Sequence, residues 1–149
     1  MNFRPARPDE AAALTDLAIR SKRSWGYDEA FMERVMPDML VTPEDIAASF
    51  CLLAEDGGEY CGYVLLNIQK QTALLRDLFI DPSYFRLGIG RMLFERALAY
   101  ARECKVTRLV LEADPNSQPF YERLGMRCTG RVASIAGNGR TLPVMGLNL

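Results

Sequence analysis

The chain has 149 residues, with 18 Lys plus Arg against 19 Asp plus Glu and a formal net charge of -1. That length accommodates one hydrophobic core rather than two, and the near-neutral balance leaves no basic excess to neutralise a nucleic-acid backbone. The absence of histidine excludes Ser-His and Cys-His nucleophilic mechanisms and removes the commonest zinc ligand, so proton chemistry falls to carboxylates, Tyr, Cys or water.

Residues 2–6 read as a short strand, and Pro8-Asp9-Glu10 opens a helix with Leu14, Leu17, Ala18 and Ile19 on one side. Asp28 caps a second helix carrying Phe31, Met32, Val35 and Met36, which should stop near Pro37, and Thr42-Pro43-Glu44-Asp45 starts a further turn. Residues 49–55 and 60–67 are apolar, β-prone runs joined by Asp56-Gly57-Gly58, a tight-turn signal between antiparallel strands. The next strand, residues 71–80, ends at Asp81-Pro82, where proline has no N–H to continue a ladder.

After a glycine-containing loop comes the best helical pattern in the chain, with Ile89, Met92, Leu93, Ala97, Tyr100, Ala101 and Cys104 sharing a face. Residues 108–112 form a short strand and residues 118–124 a short helix ended by Gly125. Two β segments follow around residues 127–134 and 142–147, with a turn at residues 136–139. Several adjacent strands followed by a strand-helix-strand crossover predict a mixed sheet, within a single domain over residues 1–149. Cys51, Cys61, Cys104 and Cys128 form no C-x-x-C pair and are expected as buried free thiols. No signal-peptide h-region opens the chain and no apolar run approaches roughly 18 residues, which makes the cytoplasm the expected location and a membrane an unexpected partner. An edge strand near the C-terminus is compatible with a monomer or a homodimer.

The loop between Asp81 and Arg91 carries the chemistry. Gly88 and Gly90 fall at a helix N-terminus, where backbone N–H groups lack intrahelical acceptors, the macrodipole is positive, and no Cβ obstructs an anion. Residues 84–105 also hold Arg86, Arg91, Arg96, Arg102 and Lys105 against Glu95 and Glu103, so a pyrophosphate suits this place. The same glycines could do no more than tighten a strand-to-helix turn. A Rossmann fingerprint needs a third glycine where Leu93 stands, and a Walker A loop needs Gly-Lys-Ser/Thr where the chain has Gly90-Arg91-Met92.

Leu78-Phe79-Ile80-Asp81-Pro82 through Gly88-Ile89-Gly90-Arg91 resembles the acetyl-CoA signature of the GCN5-related N-acetyltransferase (GNAT) superfamily, Arg/Gln-x-x-Gly-x-Gly/Ala. Phe85 occupies the Arg/Gln position, with Arg86 next to it. Downstream, Asn116 through Phe120-Tyr121-Glu122-Arg123-Leu124-Gly125-Met126 is similar to the superfamily segment that closes over the pantetheine and thiol end, with Met126 in place of phenylalanine. The resemblance implies an α/β (α+β) fold: a mostly antiparallel mixed sheet of six to seven strands flanked by helices, with a splayed parallel pair. It implies acetyl-CoA as acetyl donor, no metal, and direct transfer to the amine of a small molecule or peptide. It also implies that Leu78, Phe79, Ile80, Arg86, Leu87, Gly88, Ile89, Gly90, Arg91, Asn116, Phe120 and Tyr121 contact the cofactor, with an oxyanion donor at the N–H of Phe79 or Ile80.

An alkylamine with pKa near ~10.4 is neutral only about once in a few thousand at pH 7, a handicap of roughly 4.6 kcal/mol. A base is needed, and Asp77 and Glu112 are the carboxylates nearest the implied thioester, although either could instead be a strand-end ion-pair partner. Tyr121 suits hydrogen bonding to the departing thiolate, because a phenol is a weaker acid than a thiol. Trp25 and Tyr27, beside Asp28 and Glu29, could hold an amine by cation–π contact, or Trp25 could pack under the helices. The competing reading is a non-catalytic acyl-CoA sensor.

Overall fold

The computed structural model describes residues 1–149. In chain order the elements are β1 (Asn2–Pro5), α1 (Ala11–Arg23), α2 (Glu29–Met39), α3 (Pro43–Ala48), β2 (Phe50–Asp56), β3 (Glu59–Gln69), β4 (Thr72–Ile80), α4 (Ile89–Glu103), β5 (Arg108–Glu112), α5 (Gln118–Arg123), β6 (Arg127–Ala133) and β7 (Thr141–Asn148). The strands form one seven-stranded sheet in the order β1-β2-β3-β4-β5-β7-β6. Every neighbouring pair is antiparallel except β4 and β5, which are parallel and joined by the α4 crossover.

Strand alternation distributes the core between two layers. Leu52, Ala54, Val64 and Leu66 pack with Leu93, Phe94 and Ala97 of α4, whereas Cys51, Leu53, Tyr63 and Leu65 pack with Leu14, Leu17 and Met32 of α1 and α2. Covering both faces explains why residues 60–67 read as an unbroken apolar run. Burying each Leu contributes about 1.5–3 kcal/mol, which makes β2 and β3 the foundation against which the more open half of the sheet is built.

A β-bulge breaks the alternation in β4. Leu65 pairs with Asp77 and Leu66 with Leu75, leaving Arg76 without a partner. Ala73 and Leu75 face α4, and beyond the bulge so do Leu78 and Ile80. Asp77 and Phe79 therefore turn to the α1 side, against Tyr63.

Four expectations need correction. α2 runs through Pro37 to Met39, because proline in the last turn costs only the hydrogen bond to the carbonyl four residues earlier, and Met39 is buried. Met92 is exposed, and Phe94, not expected on the buried face of α4, is sealed in it. Cys104 caps the C-terminus of α4 beyond its last buried turn and is exposed. Cys128 is exposed on the uncovered edge strand β6, while Cys51 and Cys61 are buried as expected. No helix is long and apolar enough to cross a membrane.

Candidate active site

The parallel pair is hydrogen-bonded only where residues 72–74 meet residues 108–110, and beyond it the strands part. Gly62 explains the divergence on one side. It lies opposite Ile80, and a Cβ there would come within 2.6 Å of Ile80 Cδ1 and 2.9 Å of the Phe79 carbonyl oxygen. Glycine lets the end of β4 press against β3, while β5 follows β7 through the Leu111–Met145 and Glu112–Val144 pairs. Between them opens a cleft of about 770 Å³.

The edge of β4 that faces this cleft has free backbone donors. The Asp81 N–H is bound to the Cys61 carbonyl at 2.8 Å, so antiparallel alternation sends the Phe79 N–H to β3 as well and turns those of Leu78 and Ile80 outward. Ile80 thus keeps the expected role open, and Phe79 gives it up to Leu78.

At the outer end of the cleft, Asp81 accepts from the Ser83 N–H at 3.0 Å and from Arg20 at 2.7 Å, fixing the turn after β4. Gly88 caps α4 at φ 78°, a left-handed conformation that glycine adopts without strain, and Met92 N–H returns to its carbonyl at 3.1 Å. The N–H groups of Ile89, Gly90 and Arg91 consequently precede the helical hydrogen-bond ladder. A Cβ on Gly90 would lie 3.3 Å from Phe120 Cζ, so this glycine lets α5 close on the start of α4. Arg86, Gly88, Ile89, Gly90 and Arg91 all border the cleft, and Phe85 joins them. Leu87 does not: it is 61% exposed and points to solvent.

Phe120 and Tyr121 form the far wall with their rings edge to face at 5.1 Å. Burial, with the Asp77 charge added, pushes the Tyr121 phenol well above its ordinary value and keeps it a hydrogen-bond donor. Glu112, at the end of β5, lies on the cleft wall and is exposed. Asp77 does not line the cleft, because the Arg76 bulge turns it to the opposite face, where Tyr63 Oη donates to its carboxylate at 2.8 Å. Burial pushes Asp77 up to about 6, with Arg76 and the Tyr63 hydrogen bond offsetting only part of the cost.

The third side is built from the end of α1 and the loop after it. Ser24 and Trp25 border the cleft, and Trp25 is 51% exposed rather than packed under the helices. Tyr27 is turned away from it. Its hydroxyl donates to Asp114 Oδ2 at 2.8 Å and accepts from Arg140 Nη2 at 2.7 Å and from Asn116 Nδ2 at 3.0 Å. Asn116 borders the cleft with its amide committed to Tyr27. Lys22 binds Asp114 at 2.6 Å; burial of Asp114 opposes its ionisation, but Lys22 and the Asn116 N–H outweigh that and hold it below the usual carboxylate range. The sequence reading missed Lys22, Asp114 and Arg140 as a unit around Tyr27, since nothing local marks contacts that Tyr27 makes across 87 and 113 residues of chain.

Comparison with known proteins gives a consistent picture. The acetyltransferase (GNAT) family model matches residues 12–126. The peptidyl-lysine N-acetyltransferase YjaB of Escherichia coli (strain K12) is 32% identical over 99% of this chain and 95% of its own length. Its Salmonella typhimurium counterpart is 33% identical over 99% and 97%. The PaiA N-acetyltransferase of Thermoplasma acidophilum, crystallised with coenzyme A, shares the fold at a TM-score of 0.81 and 18% identity, covering 99% of this chain and 98% of that one.

Proposed function

Since this chain belongs to the acetyltransferase (GNAT) family, we propose that it moves the acetyl group of acetyl-CoA directly onto a primary amine, the side chain of a lysine in a peptide or protein. The observation that carries this reading is that Leu78, Ile80, Ile89, Gly90, Arg91 and Tyr121 all line one cleft. The amides of Ile89 to Arg91, with Arg86 and Arg91, bind the pyrophosphate. The pantetheine arm pairs with the open edge of β4, where an outward N–H receives the developing oxyanion.

The neutral amine attacks the thioester carbonyl, the C–S bond breaks, and coenzyme A leaves as a thiolate to which Tyr121 donates a hydrogen bond. Of the two carboxylates on the wall, Asp114 is held by Lys22 and Tyr27, which leaves Glu112 to take the amine's proton directly or through water. Asp77, sealed on the other face, acts on the site through its charge. Trp25 offers an aromatic face to a cationic acceptor. The peptide-lysine assignment draws on the names of the two YjaB relatives and on this exposed side of the cleft, which also disfavours a closed sensor. Acetyl-CoA and the free cysteines suit a reducing cytoplasm.

Calorimetry with acetyl-CoA, followed by thiol release against an N-terminally blocked lysine peptide, a polyamine and an aminoglycoside, tests the proposal. Binding with peptide-dependent release supports it. Binding without release to any amine returns the sensor reading, and no binding removes both.

A further inference from the structure

The Trp25 loop is secured at both ends, by unequal means. At its start, the Trp25 and Gly26 N–H groups bond back to Lys22 and Arg23 at 3.2 and 2.9 Å, continuing the last turn of α1. Gly26 then stands at φ 88° with no atom within 4 Å of where a Cβ would be. At its far end, the Tyr27 ring stacks on Phe31 at 3.9 Å, and the Arg140 guanidinium covers both rings at 5.0 and 4.9 Å. The hydroxyl contacts described above add Asp114 and Asn116 from the turn after β5 and Arg140 from the segment before β7. One phenol therefore ties the Trp25 loop to the end of β5 that must stay apart from β4, and to the β6–β7 connection.

We infer that Tyr27 is a positioning residue for the acceptor: its hydroxyl holds Trp25 and the Asp114 turn at a fixed separation, and so sets the entrance through which a cationic amine reaches the thioester. This rests on the proposed reading that the acceptor enters beside Trp25 and Glu112. It reassigns Tyr27 from substrate contact to strut, and the Asn116 amide from cofactor to strut. The same network neutralises Lys22, which borders the cleft, with Asp114. An uncompensated ammonium there would repel an incoming ammonium.

Tyr27→Phe keeps the ring and its stacking and removes only the hydroxyl. The chain has a single tryptophan, Trp25, whose fluorescence therefore reports on this loop alone. In the variant, Trp25 anisotropy should fall and acrylamide quenching rise. The acceptor KM should rise about tenfold, with kcat and the calorimetric Kd for acetyl-CoA within about twofold of wild type. The acceptor used is whichever amine of the panel above the wild type acetylates. Asn116→Ala should reproduce the pattern. Unchanged Trp25 fluorescence overturns the strut whether or not the protein proves to be an acetyltransferase. A loosened Trp25 with an unchanged acceptor KM, or a weakened acetyl-CoA Kd in either variant, overturns the positioning role. A wild type inactive on every amine counts against the proposed function, and the fluorescence still decides the strut.

Discussion

Tyr63 donates a hydrogen bond to Asp77 at 2.8 Å inside a layer from which both side chains are all but excluded from solvent. The Asp77 carboxyl is raised by burial from its ordinary 3.8 to about 6, so folding favours its protonated form. That stabilisation is complete below pH 3.8 and is lost as pH rises through about 6. Asp77→Asn, which has no charge to bury, should exceed wild type in stability at pH 8 by up to about 3 kcal/mol, the gap closing near pH 4. Urea midpoints at the two pH values read this directly, and a gap independent of pH contradicts it. Because Asp77 is off the cleft wall, thiol release by the variant should stay within about tenfold of wild type.

Glu10 behaves in the opposite sense. Its buried carboxylate is paired with Arg4 at 2.7 Å and accepts from Tyr60 and the Arg7 N–H at 2.8 Å each. The Arg4 hydrogen bond leads in holding it down to about 2 from 4.5. Its contribution is therefore intact above pH 4.5 and lost as pH falls toward 2. Glu10→Gln should cost about 1–3 kcal/mol at pH 7, and the difference from wild type should shrink in acid denaturation followed by circular dichroism.

Tyr121→Phe should lower kcat about tenfold or more while leaving the calorimetric Kd for acetyl-CoA unchanged, since in the proposed mechanism the hydroxyl acts only once the thiolate forms. Glu112→Gln should lower kcat by at least about tenfold on the same assay. An unaffected rate removes the residue concerned from the mechanism.

The Gly62 position predicts a coupling between sheet packing and cofactor binding. With Ile80 Cδ1 2.6 Å and the Phe79 oxygen 2.9 Å from an added Cβ, Gly62→Ala must push the end of β4 outward into the cleft. A stability loss of about 1–3 kcal/mol should accompany an at least tenfold weaker acetyl-CoA Kd. Loss of stability without loss of affinity would show that β4 does not form the cofactor edge.

The glycine turn before α4 and the α4 crossover were legible because each is written in a short stretch of chain. The Asp77 orientation was not. Its place next to Leu78 at the implied cofactor edge set it beside the thioester, and the unpaired Arg76, visible only once β3 and β4 are in register, turned it away. Tyr27 and Asn116 were given separate partners, because their contact joins residues 89 positions apart. Cys128 failed for a related reason: whether a strand is covered depends on its rank in the sheet, and β6 is the last strand.

The most direct test of the central claim is to follow the backbone amide resonances during titration with coenzyme A. The N–H signals of Ile89, Gly90 and Arg91 should shift furthest and saturate together with those of Leu78 and Ile80, as one ligand lying from the α4 turn to the β4 edge requires. If those amides stay in place while signals elsewhere move, the cofactor lies outside this cleft and the mechanism built on it is wrong.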